Sequence, residues 1–171
     1  MADGQPASAV AVGPRMRHFW LDRIVDLQPG VRATGVKAVA LAEDQFDAHF
    51  PGNPVLPGIY LLEALAQTAG VLIHQSIEGR RLAVLVSIER ARFLGFARPG
   101  DQVRLEAELE SLEGTCARAR GTALVGDRGL ASARFTFTLV APGRLIPEVY
   151  QPFWHQMIET WLGRYPELDD A

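Results

Sequence analysis

From Val103 to Glu110 apolar and charged residues alternate one for one, with Val103, Leu105, Ala107 and Leu109 set against Arg104, Glu106, Glu108 and Glu110. This is the period-two pattern of a strand with one wet face. Strand-like runs also cover Leu82 to Phe96, Thr115 to Val125 and Leu130 to Val140, with Gly126 to Gly129 as a hairpin turn. Near the start, Trp20 to Leu27 and Val31 to Leu41 flank Pro29-Gly30 and predict a first antiparallel hairpin. Gly58 to Ile77 is rich in Leu and Ala and too long for one strand, which predicts a helix. Its apolar residues, Ile59, Leu61, Leu65, Ala69 and Ile73 among them, point in nearly every direction, so the helix belongs in a core. Two strands, one long helix and four strands predict an α+β chain whose antiparallel sheet curls around a central helix.

The segments between and after these elements have their own signals. Ala42 to Phe50 is a connector in which Asp44 to Asp47 can make a single helical turn, and the run Pro51 to Gly58, PGNPVLPG, leaves the backbone little freedom. Beyond Val140, Pro142, Gly143 and Pro147 mark a linker, and Pro152 suits the first turn of a helix. Trp154, Met157, Ile158, Trp161 and Leu162 then follow i, i+3, i+4, i+7, i+8, an amphipathic pattern. The predicted organisation is a flexible arm over 1–15, a main domain over 16–140, and a linker with a C-terminal helix over 141–171. Residues 141–171 carry five acids and two arginines, so the helix is expected to dock on the sheet of the chain's own dimer rather than on an anionic lipid surface.

Composition narrows the function classes. A length of 171 residues suits one well-buried domain. A net charge of -3 argues against a nucleic-acid binder, which needs a basic footprint. The single Cys116 can form neither an internal disulfide nor a thiolate zinc site. The first residues lack the charged start and apolar stretch of a secretory signal. The most apolar segment, Val55 to Ile73, carries Pro57, Glu63 and Gln67, and a charge near the centre of a span costs roughly 2.5 to 3.5 kcal/mol. No membrane association is expected, and a cytoplasmic location is.

Chemistry enters through Glu63, a carboxylate on an otherwise apolar helix, with Gln67 one turn later on the same side. A carboxyl desolvated there would hold its proton near neutrality and could act as an acid; the plainer alternative is pairing with an arginine inside the core. His49 precedes the rigid run that leads to the same helix, and imidazole is the usual base at physiological pH. Gly58 would let a carbonyl reach the free N–H groups of the helix N-terminus. A base, an acid and an oxyanion site are thus brought within one stretch of chain.

The run His49-Phe-Pro-Gly-Asn-Pro-Val-Leu-Pro-Gly-Ile-Tyr-Leu-Leu-Glu63-Ala-Leu-Ala-Gln67 resembles the signature of the FabZ-type beta-hydroxyacyl-acyl-carrier-protein dehydratases. The likeness extends from about Leu21 to Val140 and includes Ala91-Arg92-Phe93 and Pro99-Gly100-Asp101. It implies a hotdog fold and dehydration of (3R)-hydroxyacyl carrier-protein thioesters to trans-2-enoyl thioesters, with His49 and Glu63 as the catalytic pair contributed by opposite subunits. Gly58, Gln67, Pro57 and Phe50 would then form the oxyanion and substrate-binding set. Glutamate at position 63 favours simple dehydration over the isomerising relatives, which carry aspartate there. Neither metal nor organic cofactor is implied, and the partners are an acyl carrier protein with its phosphopantetheine-linked chain and a second copy, as a homodimer or a trimer of dimers. Arg90, Arg92 and Arg98, within a stretch of five arginines and one acid between Arg80 and Arg98, are candidates for carrier docking. Leu56, Ile59 and Leu62 are candidates for an acyl tunnel. Two departures stand out: Arg17 to Leu21 lacks the family's usual proline-containing segment, and the tail is longer than a minimal member needs. The competing readings are thioester hydrolysis on the same fold and a non-catalytic subunit of a heterodimeric dehydratase.

Overall fold

A computed structural model of the chain describes residues 19–165, so the arm expected over 1–15 lies outside the described residues. Strands β1 (Arg23–Gln28) and β2 (Arg32–Ala38) form the first hairpin, followed by a 3-10 turn at Asp44–Asp47 and helix α1 (Gly58–Ser76). Strands β3 (Leu82–Phe93), β4 (Gln102–Glu113), β5 (Cys116–Val125) and β6 (Arg128–Val140) follow, and helix α2 (Gln151–Trp161) comes last. The six strands make one antiparallel sheet in the order β1-β2-β4-β5-β6-β3. Helix α1 packs against strands from one side of that sheet to the other, as the apolar pattern predicts.

The alternation in β4 is what seats the sheet on the helix. Val103, Leu105 and Ala107 are buried while Arg104 and Glu108 stay wet, and the period breaks only at the bulge between Leu109 and Ser111. Strand β2 crosses α1 so closely that a Cβ on Gly35 would stand 2.5 Å from Leu21 Cδ1 and 2.9 Å from Thr68 Oγ1. Glycine is what permits that approach. At the far end of α1, Gly79 (φ 71°) turns the chain, and its N–H donates to the His74 carbonyl at 2.9 Å.

One expectation is corrected here. Helix α1 is not enclosed on all sides: Leu61, Leu65, Ala69, Leu72 and Ile73 are buried, but Ile59 is 58% exposed and Glu63 lies in the open on the same side. The all-round apolar count treated Ile59 as a core marker, although a large apolar side chain can also stand exposed. Helix α2, in turn, meets the sheet at its β1 edge. Trp161 Nε1 donates to the Leu21 carbonyl at 2.7 Å, and Phe19 meets the Trp161 ring edge-on at 5.1 Å. The apolar face of α2 is therefore anchored on the segment entering β1.

Candidate active site

Placement of His49 starts with Lys37. This lysine is buried in β2, and its ammonium reaches Glu43 at 2.9 Å and Asp22 at 3.6 Å. Burial pushes the Glu43 carboxyl up, but the Lys37 ammonium, with the Ala40 amide and the Gln45 side chain, outweighs it and holds the group below its ordinary 4.5. Glu43 thereby clamps the start of the 3-10 turn, and the His49 amide donates to the Gln45 carbonyl at that turn's end at 3.1 Å.

The loop beyond closes on itself. Phe50 and Asn53 exchange backbone bonds at 3.3 and 2.9 Å, the Val55 amide donates to the His49 carbonyl at 3.0 Å, and the Leu56 amide donates to the Ala97 carbonyl at 2.8 Å. The His49–Phe50 peptide is cis, and the two rings stack at 4.1 Å. Arg98 donates to Asn53 Oδ1 at 2.7 Å and so braces the loop from β3's far side.

His49 Nδ1 lies 2.8 Å from the Val55 carbonyl oxygen. A carbonyl can only accept, so Nδ1 carries the proton and Nε2 presents a lone pair. The run then enters α1 through Pro57, whose position caps no amide with a side chain. Among the described residues no backbone bond takes the Gly58 or Ile59 N–H. Gly58 is overlaid by the Phe93 ring, since a Cβ there would meet Phe93 Cδ1 at 2.6 Å. Phe93, itself 55% exposed, is a site residue the sequence did not reveal, because it reaches α1 from a different element.

One turn beyond Glu63 in α1, Gln67 Oε1 accepts the Trp20 and Leu21 amides at 2.9 and 3.1 Å. Two N–H donors on that oxygen fix the orientation of the side-chain amide, so Nε2 faces Glu63 and donates to its Oε1 at 2.9 Å. Gln67 thereby holds one oxygen of the Glu63 carboxylate. No arginine pairs with Glu63 among the described residues, and its own chain leaves it exposed. Within one chain His49 and Glu63 share no hydrogen bond among the described residues.

Helix α1 also floors an apolar cavity of about 390 Å³. Glu63, Gln67, Gly70 and His74 lie along its floor, β3 contributes Ala83 to Leu85, and α2 roofs it with Trp154, Ile158 and Trp161. None of the tunnel candidates lines it: Leu56 and Leu62 are core residues, and Ile59 faces outward elsewhere. His74 is buried, which pushes its pKa down, with nearby His155 adding to the effect against the hydrogen bond to the Arg81 carbonyl. Arg90 and Arg92 are exposed on β3, beside its second bulge, with no ion pair among the described residues. Among the described residues no group of three His, Cys, Asp or Glu side chains could hold a metal ion.

Residues 14–134 match the FabA-like domain family. The chain is 42% identical over 135 residues to a 3-hydroxyacyl-[acyl-carrier-protein] dehydratase FabZ of Chloroflexus aggregans, covering 78% of this chain and 94% of the relative. Among solved structures it is similar to the dehydratase heterocomplex ApeI:P from Xenorhabdus doucetiae, with a TM-score of 0.61 at 14% identity over 81% of this chain and 93% of that one. A hot-dog-like protein from Thermanaerovibrio acidaminovorans matches with a TM-score of 0.58 at 19% identity, over 74% of this chain and 93% of the other. The sheet curled around α1 is the hotdog fold.

Proposed function

Because the chain belongs to the FabA-like family of 3-hydroxyacyl-acyl-carrier-protein dehydratases, we propose that it removes water from (3R)-hydroxyacyl carrier-protein thioesters to give trans-2-enoyl thioesters. The observation that carries the chemistry is the His49 Nδ1 bond to the Val55 carbonyl, which in the neutral ring leaves the Nε2 lone pair free to act as a base, on the loop that leads into the α1 N-terminus.

The thioester acidifies the carbon next to its carbonyl, and His49 Nε2 takes that proton. Negative charge moves to the carbonyl oxygen, where the Gly58 N–H donates to it, and the Phe93 ring turns aside to admit the group. The enolate electrons then form the carbon–carbon double bond as the carbon–oxygen bond of the hydroxyl breaks. Protonated Glu63, held by Gln67, hands its proton to the departing oxygen, so water leaves. His49 has gained one proton and Glu63 has lost one, and exchange with solvent resets both. Pro57 and Phe50 shape the entrance from the loop side.

A second copy of the chain brings the acid to the base. Strand β3 lies at a sheet edge, where unpaired N–H and C=O groups invite another strand. Val86 and Ile88 on that edge, with Phe93, Leu94 and Phe96 beyond it, form an exposed apolar surface of the kind a partner covers. In the homodimer, His49 of each chain faces Glu63 of the other, and the enclosure desolvates the carboxyl. Arg90 and Arg92 are the freer candidates for an acidic carrier protein, since Arg98 is engaged with Asn53. Among the described residues no helix is long and apolar enough to cross a membrane, and the carrier-protein substrate supports a cytoplasmic location. The test is incubation with 3-hydroxyacyl carrier-protein thioesters and mass spectrometry. Loss of one water with the thioester intact is expected, whereas release of the free acid would contradict the proposal.

A further inference from the structure

The roof that α2 places over the cavity lies outside the matched family segment, which ends at residue 134. The cavity floor is a single stripe of α1: Glu63, Ala66, Gln67, Gly70, Val71 and His74. These residues recur at three- and four-residue spacing, and eleven residues at 1.5 Å each make the floor about 16 Å long, room for an extended chain of roughly a dozen carbons. The lining is polar at the Glu63–Gln67 end and apolar from there to His74, which closes the far end. Gly70, near the middle, has nothing within 4 Å of where a Cβ would stand. Helix α2 is anchored to the β1 side through Trp161 and Phe19, and it spans the stripe without filling it. The buried Trp154 Nε1 has no hydrogen-bond partner among the described residues. An unpaired buried N–H costs about 1–3 kcal/mol, and a phenylalanine would roof the space without it. The indole is accounted for by its width at the cavity rather than by the stability of α2.

The geometry points to α2 as the wall of the acyl pocket: the chain of the thioester enters past Glu63, runs along the α1 stripe beneath Trp154, Ile158 and Trp161, and is measured at the His74 end. The inference rests on the dehydratase reading for the identity of the occupant, and commits to medium-length acyl chains.

Two substitutions of opposite effect test it. Gly70→Leu puts a side chain into the middle of the pocket, and Trp154→Ala widens it. The readout is the ratio of kcat/KM for 3-hydroxydodecanoyl against 3-hydroxybutyryl carrier protein. This ratio is expected to fall by about tenfold or more in Gly70→Leu, the scale on which apolar pockets discriminate chain length, and in Trp154→Ala the optimum moves to longer chains. A ratio unchanged in both folded variants overturns the inference.

A binding measurement that needs no turnover accompanies it. A dodecanoyl pantetheine thioester brominated at its terminal carbon should quench the tryptophan fluorescence of the wild type and of Trp20→Phe. In the Trp154→Phe, Trp161→Phe double variant, which keeps only Trp20 on its stack with Tyr60, quenching should be lost. No quenching in the wild type, or quenching that survives in the double variant, overturns the inference. Failure of the wild type to dehydrate any chain length, with quenching intact, overturns the dehydratase reading instead.

Discussion

Two histidines in this chain are held by similar bonds and serve different ends. His49 and His74 each direct Nδ1 at a backbone carbonyl, of Val55 and Arg81 respectively, but His49 stands half open on a loop and His74 is sealed in α1. His49→Ala removes the base without touching the core, so turnover should fall by about 10² to 10⁴-fold while the melting temperature stays near that of the wild type. Steady-state kinetics beside thermal melting checks both halves. His74 acts on stability. Its folded pKa lies below the unfolded value of 6.5, so on acidification the unfolded state takes up the proton first. Its contribution is complete above about pH 6.5 and is lost as pH falls from there through the folded pKa. Melting temperatures between pH 7.5 and 5.5 should fall more in the wild type than in His74→Gln, and equal slopes would show that His74 binds its proton equally in the folded and unfolded states. Glu43, held low by Lys37, contributes its own loss only below about 4.5, so the two windows separate.

Helix α2 shows what a periodic pattern conveys and what it omits. Met157, Ile158 and Trp161 are buried, as the spacing predicts. Each large side chain buried is worth roughly 1.5–3 kcal/mol. Truncation after Val140 should therefore lower the melting temperature by several degrees and leave Phe19 and Leu21 uncovered, and an unchanged melting curve would mean α2 does not pack on its own chain. The pattern could not say which surface the helix meets, because amphipathicity describes one face and not its partner. The same limit applies to α1. Its length and Leu-Ala content were legible, as were the six strands, the turn at Asp44–Asp47 and the motif from His49 to Gln67. Its open side at Ile59 and Glu63 was not, since Ile59 reads as core by its hydrophobicity and only the neighbouring elements decide otherwise. Strand ends moved for a similar reason. Trp20 and Leu21 look like strand residues, but their amides donate to Gln67, and β1 begins only at Arg23. Phe93 over Gly58 is a contact between distant elements and leaves no local trace.

At the scale of the whole molecule, one chain carries the proposed base and acid with no hydrogen bond between them among the described residues, together with an open sheet edge and an apolar surface along it. The homodimer proposed above would account for all three features: it would cover the apolar edge, bury Glu63 and bring each carboxyl to the other chain's His49. A closed C2 pair has two equivalent sites. The most direct test is to mix His49→Ala and Glu63→Gln chains, each inactive alone, under conditions where subunits exchange. In a mixed pair one site recovers both groups and the other loses both, so random pairing should restore about a quarter of the wild-type dehydratase activity. Activity no higher than that of the separate variants, with mixed pairs demonstrated by native mass spectrometry, would contradict a site shared between chains.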